Sequence, residues 1–208
     1  MATMKQNFDD LFARTPVMAI LRGFSVERTL ELSTTAWNLG IDCVEVPIQN
    51  ENALEALRAT ALAGRERSKF VGAGTVTSPT LVTQARDAGA AFTVSPGLDA
   101  EVVAASLEAG MPSLPGVASA SEIQHAIRLG LDWVKAFPAA ELGESWFTAM
   151  QGPFPQIKFV ATGGIDVGNA PRFLAAGARV VSLGSALADP AAFEGIAELL
   201  RDPEPVTR

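Results

Sequence analysis

Three features of the 208-residue sequence predict an α/β fold, a single (β/α)8 TIM barrel with an extra N-terminal helix. Eight short apolar, β-branched runs recur along the chain, each bounded by Gly, Pro or Ser. Amphipathic segments of helical spacing separate them, several opening on Ser or Asp and closing on Gly, the chemistry of helix caps. No linker or shift in composition divides the chain, so one domain over 1–208 is expected. An open doubly wound sheet is the competing topology, and eight uninterrupted units favour closure.

A helix is expected over about 3–14 and the barrel over about 16–201. The strands are read at VMAIL (17–21), CVEVPI (43–48), KFVGAGTV (69–76), AFTVS (91–95), MPSLP (111–115), DWVKAFP (132–138), KFVAT (158–162) and RVVSL (179–183). Helices fit 25–40, 78–90, 98–110 and 119–130, with N-cap residues at their starts. The phrases NLG-IDCVEV, DAG-AAFTV, EAG-MPSLP, RLG-LDWVK and AAG-ARVVS repeat one unit of helix, glycine and strand. Continuous apolar strands joined by such crossovers suit a parallel sheet covered by helices. The tail DPEPVTR is expected to fray.

Apolar residues make up 48% and charged residues 19%, which supplies a large core and excludes a disordered chain. A net charge of −7 with no basic run argues against a nucleic-acid partner. The N-terminus MATMKQNFDDLFARTP has no apolar signal core, and no run approaches the ~20 apolar residues a membrane span needs. A cytoplasmic protein without a membrane partner is therefore expected. Cys43 is the sole cysteine, so no intrachain disulfide forms, and it reads as a packed core thiol.

Barrel enzymes build their sites at the C-terminal ends of the strands and in the loops that follow. There the sequence places Arg22, Glu45, Thr75, Ser95-Pro96-Gly97, Leu114-Pro115-Gly116, Lys135 with Phe137, Thr162-Gly163-Gly164 and Gly184-Ser185. Lys135 stands inside the apolar stretch LDWVKAFP. Alternation puts Trp133, Lys135 and Phe137 on one face and Val134 and Ala136 on the other. A rim lysine reaching back to solvent is the plain alternative. Glu45, in the middle of VEVP, shifts the balance toward chemistry, because buried ion pairs are often no more stabilising than apolar replacements.

A desolvated lysine has a depressed pKa and is partly free amine near neutrality. It attacks a ketone and forms an imine, which withdraws electrons from the adjacent carbon–carbon bond. Glu45, the only acid embedded in such a run, is the candidate for the proton transfers. In the loops after the seventh and eighth strands, TGGI and LGSA bring backbone N–H groups close to an anion. Two tight βα turns are the alternative there.

Other features are set aside. Gly72-Ala73-Gly74 opens like a dinucleotide fingerprint but lacks its third glycine. His125 falls in an expected helix and reads as a surface residue. One His, one Cys and no carboxylate cluster at ligand spacing argue against a dedicated metal site, and no cofactor is expected. There is no G-x-S-x-G elbow.

The set VEVP, VGAGTVTSP (71–79), VSPG (94–97), LPGV (114–117), VKAFPA (134–139), GPFPQIKFVATGGI (152–165) and LGSAL (183–187) resembles the class I 2-keto-3-deoxy-6-phosphogluconate (KDPG) aldolases. It is also similar to the 6-phosphogalactonate and 4-hydroxy-2-oxoglutarate aldolases, over roughly 15–190. The resemblance implies a metal-independent (β/α)8 lyase, a homotrimer, that cleaves a 2-keto-3-deoxy-6-phospho sugar acid to pyruvate and glyceraldehyde 3-phosphate. It implies Lys135 as the Schiff-base lysine and Glu45 as general acid/base. Thr75, Pro96 and Phe137 would line the pyruvate half, and Gly163, Gly164, Gly184 and Ser185 would hold the phosphate. Gln49 stands where some phosphogluconate enzymes have arginine. Arg22 in IxRG and Gln49 in VPIQN look more like the phosphogalactonate branch, where both would bind substrate, whereas GPFPQIKFVATGGI looks like the phosphogluconate enzymes. An aldolase for an unphosphorylated 2-keto acid and a non-catalytic sugar-phosphate sensor are the alternatives.

Overall fold

The structure, a computed structural model, describes residues 7–201. Its strands are β1 (Val17–Ile20), β2 (Cys43–Pro47), β3 (Phe70–Gly74), β4 (Thr93–Val94), β5 (Ser113–Leu114), β6 (Gly116–Val117), β7 (Trp133–Ala136), β8 (Lys158–Ala161) and β9 (Ala178–Leu183). They pair in parallel in the order β5-β4-β3-β2-β1-β9-β8-β7-β6. The ends of that series, β5 and β6, are separated by Pro115 alone. Proline has no N–H for the ladder, so the fifth expected strand is split, and its halves pair with β4 and β7 to bring the ring round. This corrects the fifth strand, expected to end at Pro115 and found to resume to Val117. The fourth shrinks from 91–95 to Thr93–Val94.

Helices α2 (Val26–Leu39), α3 (Glu51–Glu66), α4 (Pro79–Asp87), α5 (Ala100–Glu108), α6 (Ala120–Arg128), α7 (Ala139–Leu142), α8 (Glu144–Gln151), α9 (Ala170–Ala175) and α10 (Phe193–Arg201) lie between or after the strands, following a first turn α1 (Phe8–Leu11). The cap chemistry is as expected. Ser25, Ser78, Asp99 and Ser119 accept hydrogen bonds from the first-turn N–H groups of α2, α4, α5 and α6. Gly40 ends α2 at φ 104°, a conformation costly for a residue with a Cβ. Among the described residues no helix is long and apolar enough to cross a membrane.

Period-two alternation sorts the strand residues into two cores. Val17, Ala19, Val44, Val46, Val134, Ala136, Phe159 and Ala161 pack outward with the helices. Met18, Cys43, Phe92, Val94, Leu114, Trp133, Val160 and Val180 fill the barrel. The N-terminal end is sealed by α1, whose Phe8 and following Phe12 pack 6.3 and 5.1 Å from the Trp133 ring. Asp9 accepts hydrogen bonds there from Trp133 Nε1 at 3.1 Å and Lys158 Nζ at 2.5 Å. Beside it, buried Asp42 pairs with Arg14 and Lys69. Cys43 is the packed thiol expected; it donates to the Leu11 carbonyl at 3.1 Å, and burial pushes its pKa up. Of the helix expected over 3–14, only Phe8–Leu11 is helical, and 3–6 and the tail DPEPVTR lie outside the described residues. With one end plugged, chemistry is left the other.

Candidate active site

At the open end, a cleft of about 600 Å³ is lined by Ile20, Arg22, Phe24, Thr75, Pro96, Lys135, Phe137, Thr162, Gly163, Gly164, Ile165, Ser182, Gly184 and Ser185. Lys135 is only 3% exposed, so it does not reach out to the rim solvent. Its main-chain N–H donates to the Pro115 carbonyl at 2.9 Å, and its Nζ sits 4.9 Å from the centre of the Phe137 ring. Trp133, Lys135 and Phe137 share a face as expected, and it is the inward one, Val134 and Ala136 packing with the helices.

Glu45 is fully buried beneath this cleft, on β2 between Ile20 of β1 and Gly72 of β3. Neither carboxylate oxygen has a hydrogen-bond partner among the described residues. Burial pushes the Glu45 pKa up, and the nearby Lys135 and Arg22 charges temper that rise. Burial pulls the Lys135 pKa down; Glu45 opposes the shift and Arg22 adds to it. Both groups are thus driven toward their neutral forms, an amine that is a nucleophile and an acid that can lend a proton.

Arg22 is exposed, and its Nη1 donates to Gln49 Oε1 at 3.0 Å. Gln49 itself lies across that contact, lining a second cleft of about 430 Å³ with Asn50, Glu51, Thr77 and Gln84. Thr75 lines both clefts. It has φ 58°, a left-handed conformation that a β-branched residue adopts only when its surroundings impose it. The imposition is visible: Ile48 N–H holds the Gly74 carbonyl at 2.9 Å, and Val76 N–H is held by the Val94 carbonyl at 3.1 Å.

The glycine loops differ in what the chain itself demands. Gly163 and Gly164 have φ of 95° and 70°, and a Cβ at Gly164 would lie 2.5 Å from the Ala140 Cβ. At Gly184 an added Cβ would come no closer than 3.6 Å, to the Ile20 carbonyl, so neighbouring protein does not require glycine there. Ser185 is exposed and begins a short 3₁₀ turn, Ser185–Ala188. Every residue given a role except Gln49 and the buried Glu45 therefore borders the one cleft, whereas Ser95, Gly97 and Leu114-Pro115-Gly116, expected at the same end, do not line it.

Sequence reasoning passed over Ile20, Phe24, Ile165 and Ser182. Ser182 had a signal, being the polar residue two beyond Val180 on the inward face of β9. Thr162 donates to it at 3.0 Å, and both hydroxyls are buried. The Gly72-Ala73-Gly74 run, set aside as an incomplete fingerprint, also meets the site, since Glu45 occupies the space beside Gly74.

A lysine and a carboxylate enclosed at the C-terminal end of a parallel barrel mark the class of barrel enzymes equipped for Schiff-base chemistry. Within that class the comparisons are specific. The chain belongs to the family described as "Aldolase: KDPG and KHG aldolase", whose sequence model matches residues 8–197. The 2-dehydro-3-deoxy-phosphogluconate aldolase of Treponema pallidum (strain Nichols) is 38% identical over 177 residues, covering 85% of this chain and 81% of that protein. The structure of KDPG aldolase from Legionella pneumophila, with pyruvate captured at low pH as a covalent carbinolamine intermediate, superposes with a TM-score of 0.81 at 32% identity, covering 95% and 98% of the two chains. That of the Zymomonas mobilis ZM4 enzyme with 3-phosphoglycerate gives 0.81 at 29% identity, over 99% and 98%.

Proposed function

We propose that this chain is a class I aldolase that cleaves a 2-keto-3-deoxy-6-phospho sugar acid to pyruvate and glyceraldehyde 3-phosphate, with Lys135 forming the Schiff base. The observation that carries the reading is the burial of Lys135 and Glu45 together under an open cleft, each pushed toward its neutral form. The Lys135 amine adds to the C2 ketone, and neutral Glu45 lends its proton as water leaves, giving a protonated imine beside a Glu45 carboxylate. Glu45, through one water, accepts the C4 hydroxyl proton. The C3–C4 electron pair moves into the imine, leaving an enamine on Lys135 and a C4 aldehyde. Glyceraldehyde 3-phosphate departs, Glu45 returns the proton to C3, and water hydrolyses the imine to pyruvate and free lysine, the released proton going back to Glu45.

Thr75, Pro96 and Phe137 surround the pyruvate half in this reading, and Gly163, Gly164, Gly184 and Ser185 receive the phosphate. The open space at Gly184, where the protein itself would admit a Cβ, supports an approach by a ligand. Arg22, whose partner Gln49 is neutral, keeps its charge for a substrate anion. Borohydride added with pyruvate is expected to leave a reduced pyruvyl adduct on Lys135, seen by peptide mass, and to abolish turnover. An unmodified and still active protein would sink the proposal. The family description also names KHG, so turnover of 4-hydroxy-2-oxoglutarate against the phosphorylated substrate separates the second reading. A homotrimer working in the cytoplasm belongs to the same reading, and sedimentation of the purified protein tests its stoichiometry.

A further inference from the structure

Gly72 and Gly74 lie two residues apart on β3, both facing the barrel interior. Neither has a left-handed φ, so backbone conformation does not call for glycine at either position. Space does. A Cβ on Gly72 would stand 2.5 Å from Phe92 Cζ, with two more ring atoms closer still. A Cβ on Gly74 would stand 2.7 Å from both Cγ and Cδ of Glu45, with Oε1 closer still. Approaches this short are not tolerated in packed interiors, so in each case the incoming side chain would have to leave.

The two glycines therefore admit different things. Phe92 is a fully buried member of the inner core, and its place matters for packing. Glu45 is the carboxylate beneath the cleft. Strand register pairs Glu45 with Gly72 and Pro47 with Gly74. Its carboxylate thus leans one inward position toward the open end, with Gly74 as the wall it rests on. No hydrogen bond from a described residue holds that pose, which leaves the shape of the wall and the Lys135 and Arg22 charges to set it.

We propose that Gly74 is the positioning residue for Glu45: the absent side chain fixes where the carboxylate stands relative to Lys135. This rests on the reading of Glu45 as the proton-transfer group. The test is a double-mutant cycle of Glu45→Ala and Gly74→Ala, with Gly72→Ala for comparison, reading turnover, its pH profile and melting temperature. Gly74→Ala alone is expected to lower turnover by about 10²-fold, the effect of a displacement near 1 Å at a reacting group, and to shift the pH profile. Added to Glu45→Ala it should cost no further turnover and no melting temperature, because the new methyl enters vacated space. Gly72→Ala should lower melting temperature equally whether or not Glu45 is present.

A Gly74→Ala protein with parental turnover and pH profile overturns the proposal. So does one whose melting temperature falls equally in both backgrounds, since glycine would then serve the backbone. If Gly74→Ala does not fold, the double variant must fold, and its failure also overturns the idea. Parental turnover in Glu45→Ala would instead defeat the proton-transfer reading. The melting temperatures would still show whether Gly74 makes room for that side chain.

Discussion

In the proposed mechanism Lys135 owes its reactivity to the burial and charges around it. Desolvation lowers its pKa, Arg22 lowers it further, and Glu45 raises it. Those opposing neighbours give a signed prediction for the pH dependence of imine formation, measured as the rate of borohydride trapping with pyruvate. Free amine is the reactive form, so the rate climbs through the lysine pKa as pH rises. Arg22→Gln removes a like charge, favours the ammonium and should move that limb to higher pH. Glu45→Gln removes the opposite charge and should move it to lower pH. Thr75 holds a different kind of tension. At φ 58° a threonine costs roughly 1–2 kcal/mol that glycine would not. Thr75→Gly should therefore melt no lower than the parent while losing turnover, since the residue that lines both clefts is gone; a clear fall in melting temperature would remove strain from the account.

Among the elements, the short turn α1 shows how stability and chemistry are parted. It caps the N-terminal end with Phe8, 4% exposed, and with Asp9 reaching Trp133 and Lys158. Phe8→Ala should cost about 3 kcal/mol, typical of deleting a buried ring, and lower the melting temperature by several degrees. At temperatures where the variant is folded, kcat and KM should match the parent, because α1 lies at the end opposite the cleft. A changed kcat would mean the two ends are coupled. The split strand β5–β6 is the other telling element. Pro115 interrupts the ladder, and Gly116 follows because a Cβ there would meet the backbone at Gly97 N, 2.9 Å away, and the Pro96 carbonyl closer still. LPG is thus a steric fit between adjacent strands as well as a turn signal.

At the scale of the whole molecule, the barrel was legible because each unit states itself locally. Helix caps at Ser25, Ser78, Asp99 and Ser119 and the glycine closing α2 need only neighbours in sequence to be understood. Lys135 and Glu45 were legible for the opposite reason, as charges in runs that should be apolar. Contacts across strands were not legible. Gly74 makes sense only once Glu45 of the adjacent strand fills its Cβ position, and Ser182 only once Thr162 of β8 is seen to donate to it. Gln49 shows the same gap: its place in VPIQN is near the site, but the turn after β2 sends it into the neighbouring cleft while its amide holds Arg22.

That partition has a practical side. Thr75 lines both spaces, of about 600 and 430 Å³, and the Arg22–Gln49 contact joins the side of one to the side of the other. Trimming Gln49 would open the smaller space toward the larger and release Arg22, while leaving the glycine loops across the cleft in place. For synthesis run in the condensing direction, this thin wall is where the mouth of the barrel would be widened to take bulkier aldehydes.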